Sequence, residues 1–462
     1  MALSGLEIYK LLPKTNCKEC GFSTCLAFAM QLAAKKTTLD KCAHVSEEAK
    51  QALEGASQPP IKLVSIGAHD NKLEVGNETV LFRHEETFYH PTGVGFLVED
   101  TLSEKDFKER INKVETLIFR RVGQTIAVNL VALKNSSRDT SQFLSKAKIL
   151  LDVTKLNIVL ISENAEALTK ALEILKERRP LVYAATSQNY ETFGNIAKQF
   201  NVPLAVFGNS LDELSELTQK LKNLGVEELI LDVSGEDILS KLTALINIRR
   251  LALKKTFRPL GYPTIVFTRP HLVAAATPRS GGGGFTDEAD AVTEALAAVT
   301  YIAKYASIVI MKNSPEWAIL SVLTARQDIY SDPQKPVQVE PKIYEIGNVT
   351  KNSPVIVTTN FSITYYTVAG EVEASKIPTY IISCDCEGMS VLTAWAAEKF
   401  TPEKIADTLK TSGILKKVSH KNVIIPGYVA VMSGKLEDLS GWRVIVGPKE
   451  AAGLPSFLKN LG

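Results

Sequence analysis

TIAVNLVAL (125–133), NIVLI (157–161), LVYAA (181–185), PLAVF (203–207), ELILDV (228–233), TIVFT (264–268) and SIVIM (307–311) are the runs whose reading decides the fold. Each is short and apolar, and most are rich in β-branched residues, the pattern of a strand covered on both faces in a parallel sheet. A helical pattern follows each one, near 139–151, 164–177, 190–200, 211–223, 236–253, 286–304 and 315–327. VQVEPKIYEI (337–346) is read as a last strand. Eight βα-like units over residues 101–346 predict a (β/α)₈ barrel, a fold of typically ~250 residues. The alternative is an open doubly wound sheet, but no Gly-rich nucleotide turn follows the first strand.

On the carboxyl side, residues 347–462 carry four more apolar runs: PVIVTTN (354–360), PTYIIS (378–383), KNVIIPG (421–427) and WRVIVGP (442–448). With helical patterns near 362–374, 388–399 and 402–412, they predict a smaller Rossmann-like α/β domain. On the amino side, residues 61–100 read as a connector of short strands and turns. Residues 1–60 hold a cysteine-rich loop and a helical stretch, SEEAKQALEGA (46–56), stopped by Gly55 and Pro59-Pro60.

A chain of 462 residues suggests about three domains at roughly 150 residues each. Its net charge of +2 gives no footprint for nucleic acid and no drive toward an anionic membrane surface. No apolar run reaches the ~18–20 residues of a membrane span, and the N-terminus has no apolar signal core, so the expected location is cytoplasmic. Six cysteines are too few for a disulfide scaffold in so long a chain, but four fall between Cys17 and Cys42.

Those four follow the pattern C-x₂-C-x₄-C-x₁₆-C: Cys17, Cys20, Cys25 and Cys42. Three come from one tight loop, where Gly21 lets the backbone approach closely, and the fourth lies beyond a helix. The layout favours an iron–sulfur cluster, with structural zinc and a redox disulfide as alternatives. Residues 1–60 have little core of their own, so they would need the metal or a partner to fold.

Other candidates read blandly. His44, His69, His84, His90, His271 and His420 are scattered, with no H-E-x-x-H spacing. Gly281–Gly284 lack the Lys-Ser/Thr of a phosphate loop and read as a βα loop, and His271 reads as a loop histidine. Cys384 and Cys386, in SCDCEGMS, read as two partly buried thiols lining a loop. No nucleophile elbow is present. A chain without an acid–base or nucleophile constellation points to chemistry carried by a cofactor.

The opening GLEIYKLLPKTNCKECGFSTCLAFAMQLA and the later TTNFSITYYTV, EGMSVLTAWAAEKF, IIPGYVAVMSGKLED and GWRVIVGPKEAAGLPSFL resemble the large (gamma) subunit of the corrinoid iron–sulfur protein family. These proteins serve the reductive acetyl-CoA (Wood–Ljungdahl) pathway and acetyl-CoA decarbonylase/synthase complexes. The resemblance implies an N-terminal [4Fe–4S] domain, a central TIM barrel and a C-terminal corrinoid-binding domain. It implies a methyl carrier, a component of a corrinoid-dependent methyltransferase system. Co(I) takes a methyl group from methyltetrahydrofolate through a methyltransferase, and acetyl-CoA synthase receives it. The cluster, held by Cys17, Cys20, Cys25 and Cys42, returns Co(II) to Co(I).

The resemblance carries corrinoid contacts onto Thr359, Asn360, Phe361 and Tyr365, onto Gly388, Met389, Ser390, Val391, Leu392 and Thr393, and onto Gly427, Tyr428, Ala451, Ala452 and Gly453. The only histidine after residue 347 is His420, outside any D-x-H-x-x-G pattern, so a base-off corrinoid without a histidine ligand is expected. Weak axial ligation suits a cobalt that must reach Co(I). Cys384 and Cys386 depart from what the family leads one to expect, and a thiol beside cobalt would compete as a ligand. The partners implied are a smaller TIM-barrel subunit in a heterodimer, the methyltransferase, acetyl-CoA synthase/CO dehydrogenase and a reductive activator. Two other readings remain: an Fe–S electron-transfer subunit of a larger dehydrogenase without corrinoid, and a zinc-stabilised scaffold.

Overall fold

The computed structural model describes residues 5–33, 37, 39–46, 49, 59–235, 237–269, 287–312, 315–332 and 336–461. Seventeen strands are present among them. They are β1 (Val64–Ile66), β2 (Leu73–Val75), β3 (Gly93–Glu99), β4 (Ile118–Arg121), β5 (Gln124–Ala127), β6 (Leu130–Lys134), β7 (Asn157–Ile161), β8 (Leu181–Ala185) and β9 (Leu204–Gly208). The chain continues with β10 (Leu229–Val233), β11 (Ile265–Phe267), β12 (Ile308–Met311), β13 (Ile343–Ile346), β14 (Val355–Thr359), β15 (Thr379–Cys384), β16 (Asn422–Ile425) and β17 (Arg443–Val446). No helix among the described residues is long and apolar enough to cross a membrane.

Eight parallel strands form one sheet in the order β10-β9-β8-β7-β6-β3-β12-β11. The two ends meet where the Leu231 N–H donates to the Pro263 carbonyl at 2.8 Å, beside a parallel bridge from Leu231 to Thr264. The sheet is therefore a barrel. Helices start where short polar side chains turn the chain after a strand. Asp139, Asn164, Ser210 and Asp237 each accept a hydrogen bond from a first-turn N–H, satisfying a donor that the helix cannot.

The barrel interior is filled by Leu130, Val159, Leu181, Ala205, Ile230, Ile265 and Ile308. The hairpin β1–β2 adds Val64, Ile66 and Val75 to the same cluster. Its backbone is tied to residues that immediately precede strands. The Gly67 N–H donates to the Arg179 carbonyl at 3.0 Å, and the Arg179 guanidinium reaches both the Ser65 carbonyl and Glu228. The hairpin thus plugs the barrel's amino-terminal end.

Two assignments made from sequence change here. The first barrel strand is β3, inside the stretch 61–100 read as a connector; it pairs with β6 on one side and β12 on the other. Its glycines disguised it, since a Cβ on Gly95 would stand 2.5 Å from the Leu130 Cβ, so close packing forbids the branched residues that mark a strand. The stretch 337–346 gives no barrel strand; β13 pairs antiparallel with β15.

The second unit comprises Ser331–Gly462 together with Phe119–Ile126, the outer part of the β4–β5 hairpin. Its sheet order is β13-β15-β14-β16-β17, with β13 antiparallel and the other four parallel. Apolar layers cover both faces. Val355, Val357, Ile382 and Phe400 belong to one, and Ile356, Ile381, Ile424 and Leu454 to the other.

Within the first unit the segment after β2 is pinned by one buried ion pair. Arg249 donates to Glu78 at 3.2 Å and to the Val80 carbonyl at 2.6 Å, and its guanidinium lies 5.1 and 4.9 Å from the Phe88 and Tyr305 rings. The other oxygen of Glu78 accepts from the Tyr89 N–H at 3.1 Å. Glu78→Ala is expected to cost about 3–5 kcal/mol, because it strands a buried cation. Denaturant unfolding monitored by circular dichroism measures it; a loss below about 1 kcal/mol would contradict this role.

Candidate functional site

In the second unit the chain runs from β14 outward to β15, then crosses back to place β16 on the other side of β14. Helices leaving the carboxyl ends of β14 and β16 therefore diverge, and ligands of α/β sheets sit in the crevice such a reversal opens. A cleft of about 300 Å³ lies there. It is lined by Ile356, Thr358 and Ile424 from the strands, by Ile363 and Thr367 from the helix Ser362–Ser375, by Ser390 with Val391 and Leu392 at the start of the next helix, and by Tyr428, Lys449, Glu450 and Ala451 from the segments after β16 and β17. Thr358 is 1% exposed, and its hydroxyl has no hydrogen-bond partner among the described residues. An orphaned hydroxyl in an apolar cleft suits a mainly apolar ligand with a few polar atoms. The hydroxyl of Tyr428 bonds to Glu450, linking the loop after β16 to the loop after β17; the carboxylate raises the pKa of that hydroxyl.

Five of the residues carried over as corrinoid contacts line this cleft: Ser390, Val391, Leu392, Tyr428 and Ala451. The other ten are not among its lining residues. Ser390 and Thr393 share a hydroxyl–hydroxyl bond of 2.9 Å at the start of the helix Val391–Ala396. Gly388 has φ +72°, and a Cβ there would stand 3.0 Å from the Pro336 carbonyl oxygen. Met389 packs on the buried layer around Val355 and Ile382. Thr359 is fully buried in β14, and Phe361 immediately precedes the helix Ser362–Ser375. Tyr365 is buried against Tyr344, ring centroids 4.3 Å apart, and burial pushes its hydroxyl pKa up. A Cβ on Gly427 would stand 2.6 Å from the Gly447 carbonyl oxygen, so the loops after β16 and β17 touch backbone to backbone. Ala452 and Gly453 continue the turn begun by Ala451.

Asn360 is fully buried, and its amide is spent on protein. Its Oδ1 accepts from the N–H groups of Cys386 at 2.8 Å and Gly388 at 3.0 Å. Its Nδ2 donates to Gln338 Oε1 at 2.8 Å and Asp385 Oδ1 at 3.3 Å. Two separate segments, the one carrying Gln338 and the loop 385–388, thus meet on one side chain. Sequence reasoning named Asn360 but could not see this role, because the partners lie 22 to 28 positions away.

Cys384 and Cys386 belong to the buried layer with Val355, Ile382, Ala394 and Phe400, and neither lines the cleft. The Cys386 thiol donates to the Lys399 carbonyl at 3.5 Å. Burial pushes both thiols up to about 12, so they stay protonated at neutral pH. His420 precedes β16, at the sheet edge opposite the cleft. Its Nε2 faces the Ser353 carbonyl at 3.0 Å and its Nδ1 accepts from the Asn422 N–H at 3.2 Å, which occupies both ring nitrogens.

In the N-terminal segment, Cys25 starts the helix Cys25–Ala33 and is buried with Cys42; Cys20 is half-buried and Cys17 exposed. Lys14, Asn16, Lys18 and Gly21 have φ of +60°, +50°, +68° and +83°. Such left-handed turns aim successive N–H groups into a concavity that favours negative charge, as many Fe–S sites require. The Asn16 N–H points at Cys25 Sγ at 3.4 Å, and Asn16 Oδ1 accepts from the Cys25 N–H at 2.8 Å. Among the described residues, the donors that converge within 4.8 Å are Cys17, Glu19 and His44; no three of the thiols form so tight a group. His271, Gly281–Gly284 and most of residues 46–56 lie outside the described residues.

A family described as CO dehydrogenase/acetyl-CoA synthase delta subunit matches residues 63–458, and one described as putative Fe-S cluster matches residues 12–44. The corrinoid/iron-sulfur protein large subunit of Moorella thermoacetica is 46% identical over 459 residues, covering 99% of each chain. The acetyl-CoA decarbonylase/synthase complex subunit gamma of Methanothermobacter thermautotrophicus is 36% identical, covering 100% of this chain and 99% of its own. Among solved structures, dihydropteroate synthase from Thermus thermophilus aligns over 58% of this chain and 99% of its own, at 14% identity and a TM-score of 0.40. With its cysteine loop, barrel and α/β unit in this order, the chain belongs to the family of corrinoid/iron–sulfur protein large subunits and acetyl-CoA decarbonylase/synthase gamma subunits.

The buried thiols make a direct prediction. At pH 8.5, below their raised pKa of about 12, Cys384 and Cys386 resist iodoacetamide in the folded protein and react after denaturation. Peptide mass spectrometry reads the outcome; rapid labelling of either in the native state would contradict their burial.

Proposed function

We propose that the chain is a methyl carrier that holds a base-off corrinoid in the cleft at the carboxyl edge of β14 and β16, and a [4Fe–4S] cluster on Cys17, Cys20, Cys25 and Cys42. The observation that carries this reading is the cleft itself: a largely apolar ligand site at a sheet reversal, where the helices leaving β14 and β16 part. When bound, the corrinoid supplies a cobalt that takes a methyl group from methyltetrahydrofolate and passes it to acetyl-CoA synthase, while the cluster supplies the electron that returns oxidised cobalt to its reactive state.

The protein's own residues set the conditions for that chemistry. Ile356, Ile363, Ile424 and Leu392 give an apolar lining that excludes water, and Thr358 offers a lone hydroxyl for a polar atom of the ligand. The hydroxyls of Ser390 and Thr393 satisfy each other, so neither is a strong metal donor. His420 is held at the far edge of the sheet, and the two thiols are protonated in the core. Cobalt in the cleft would therefore meet neither the His420 imidazole nor a thiolate of Cys384 or Cys386. Ile363, Leu392 and Tyr428 stay exposed at the rim, an apolar border suited to a covering partner such as the small TIM-barrel subunit. The methyltransferase, acetyl-CoA synthase/CO dehydrogenase and a reductive activator complete the partners of this reading. In the N-terminal segment, the left-handed turns of residues 14–21 stabilise the charge of a thiolate-bound cluster.

Electron paramagnetic resonance of the Co(II) state tests the ligation. The expected spectrum has no superhyperfine splitting from an axial nitrogen. Nitrogen splitting would contradict a cleft without a histidine ligand, and a purified protein without corrin absorption bands would favour an Fe–S electron-transfer subunit instead.

A further inference from the structure

The segment near the start of the second unit does more than connect. Residues 337–339 lie antiparallel beside the end of β14: the Ser362 N–H donates to the Val337 carbonyl and the Val339 N–H to the Asn360 carbonyl, both at 2.9 Å. The same segment presents Gln338 to the Asn360 amide at 2.8 Å, and its Pro336 abuts Gly388. On its other side Asn360 gathers the N–H groups of Cys386 and Gly388 onto one oxygen, and its own N–H donates to the Cys384 carbonyl at 2.9 Å. Two residues after Gly388 the chain enters the cleft with Ser390, Val391 and Leu392.

A buried amide that bridges two segments has one orientation that satisfies all its bonds. Its Nδ2 can serve Gln338 and Asp385 only while Oδ1 faces Cys386 and Gly388. A shift of the incoming segment therefore pulls on the loop through one rigid, planar group, with bonds that reinforce each other in a buried setting. We propose that Gln338 and Asn360 are positioning residues that couple the segment entering this unit to the loop 385–392, and so set the cleft wall against the bound corrinoid. The coupling rests on the corrinoid reading above for its purpose, but its first test needs no cofactor. Gln338 is exposed, so replacing it leaves the core intact.

Gln338→Leu removes the acceptor, and Gln338→Glu keeps one. Hydrogen–deuterium exchange of the cofactor-free protein is followed in peptides spanning 384–390, with the melting temperature as control. Q338L should exchange there about fivefold faster than wild type, the size of one lost hydrogen bond, with the melting temperature nearly unchanged and Q338E close to wild type. In corrinoid-loaded protein the corrin absorption bands of Q338L should shift, and those of Q338E should not. Equal exchange in all three proteins would overturn the coupling. Altered exchange with unshifted bands would confine it to the loop and overturn the claim on the cofactor. Failure of even the wild-type protein to take up corrinoid would sink the corrinoid reading, and the exchange result would still decide the coupling.

Discussion

Parallel strands all finish at one edge, and that single constraint arranges everything functional in the second unit. Once β14 is flanked by β15 on one side and β16 on the other, the chain segments leaving β14 and β16 must part, and the space between them is the cleft. The two covering layers leave no alternative, since Val355 and Val357 are buried on one face of β14 and Ile356 on the other. The edge also segregates roles. His420 stands at the amino end and the cleft at the carboxyl end of the same sheet, so the one histidine of this stretch is kept out of the site by topology rather than by its side-chain conformation. Cys384 ends β15 at the carboxyl edge but faces the opposite layer from Ile356, where it is a small apolar residue in all but name.

Much of this was legible beforehand because buried parallel strands write unbroken apolar runs. NIVLI at 157–161 and LVYAA at 181–185 coincide with β7 and β8, and the helix read at 211–223 has those bounds. What failed were strands whose environment differs. Gly93 and Gly95 make β3 look like a turn, although contact with Leu130 is what demands them. The run 337–346 looks like one strand, yet Pro341 divides it into a segment antiparallel to the end of β14 and a separate strand, β13, antiparallel to β15. The period of two cannot report which sheet a strand joins.

The site was legible to different depths. The cysteine spacing is local, so four residues could be named from sequence; the turns at Lys14, Asn16 and Lys18 that shape the loop could not, because nothing in those side chains demands φ > 0. Ser390–Leu392 and Tyr428 were named through resemblance and do line the cleft. Asn360 was named through resemblance, but the bonds its amide makes were not legible, since a side chain's allegiance is decided by which segments the fold brings to it.

The account's central claim is that one chain carries two metal centres of different chemistry, a thiolate-bound cluster near its start and a cobalt cofactor near its end. Metal analysis of protein purified without oxygen, with cobalt, iron and zinc determined together on the same sample, tests it most directly. The account predicts about four iron and about one cobalt per chain, with zinc far below one. Stoichiometric zinc without iron, or full iron with no cobalt under conditions where corrinoid was supplied, would contradict it.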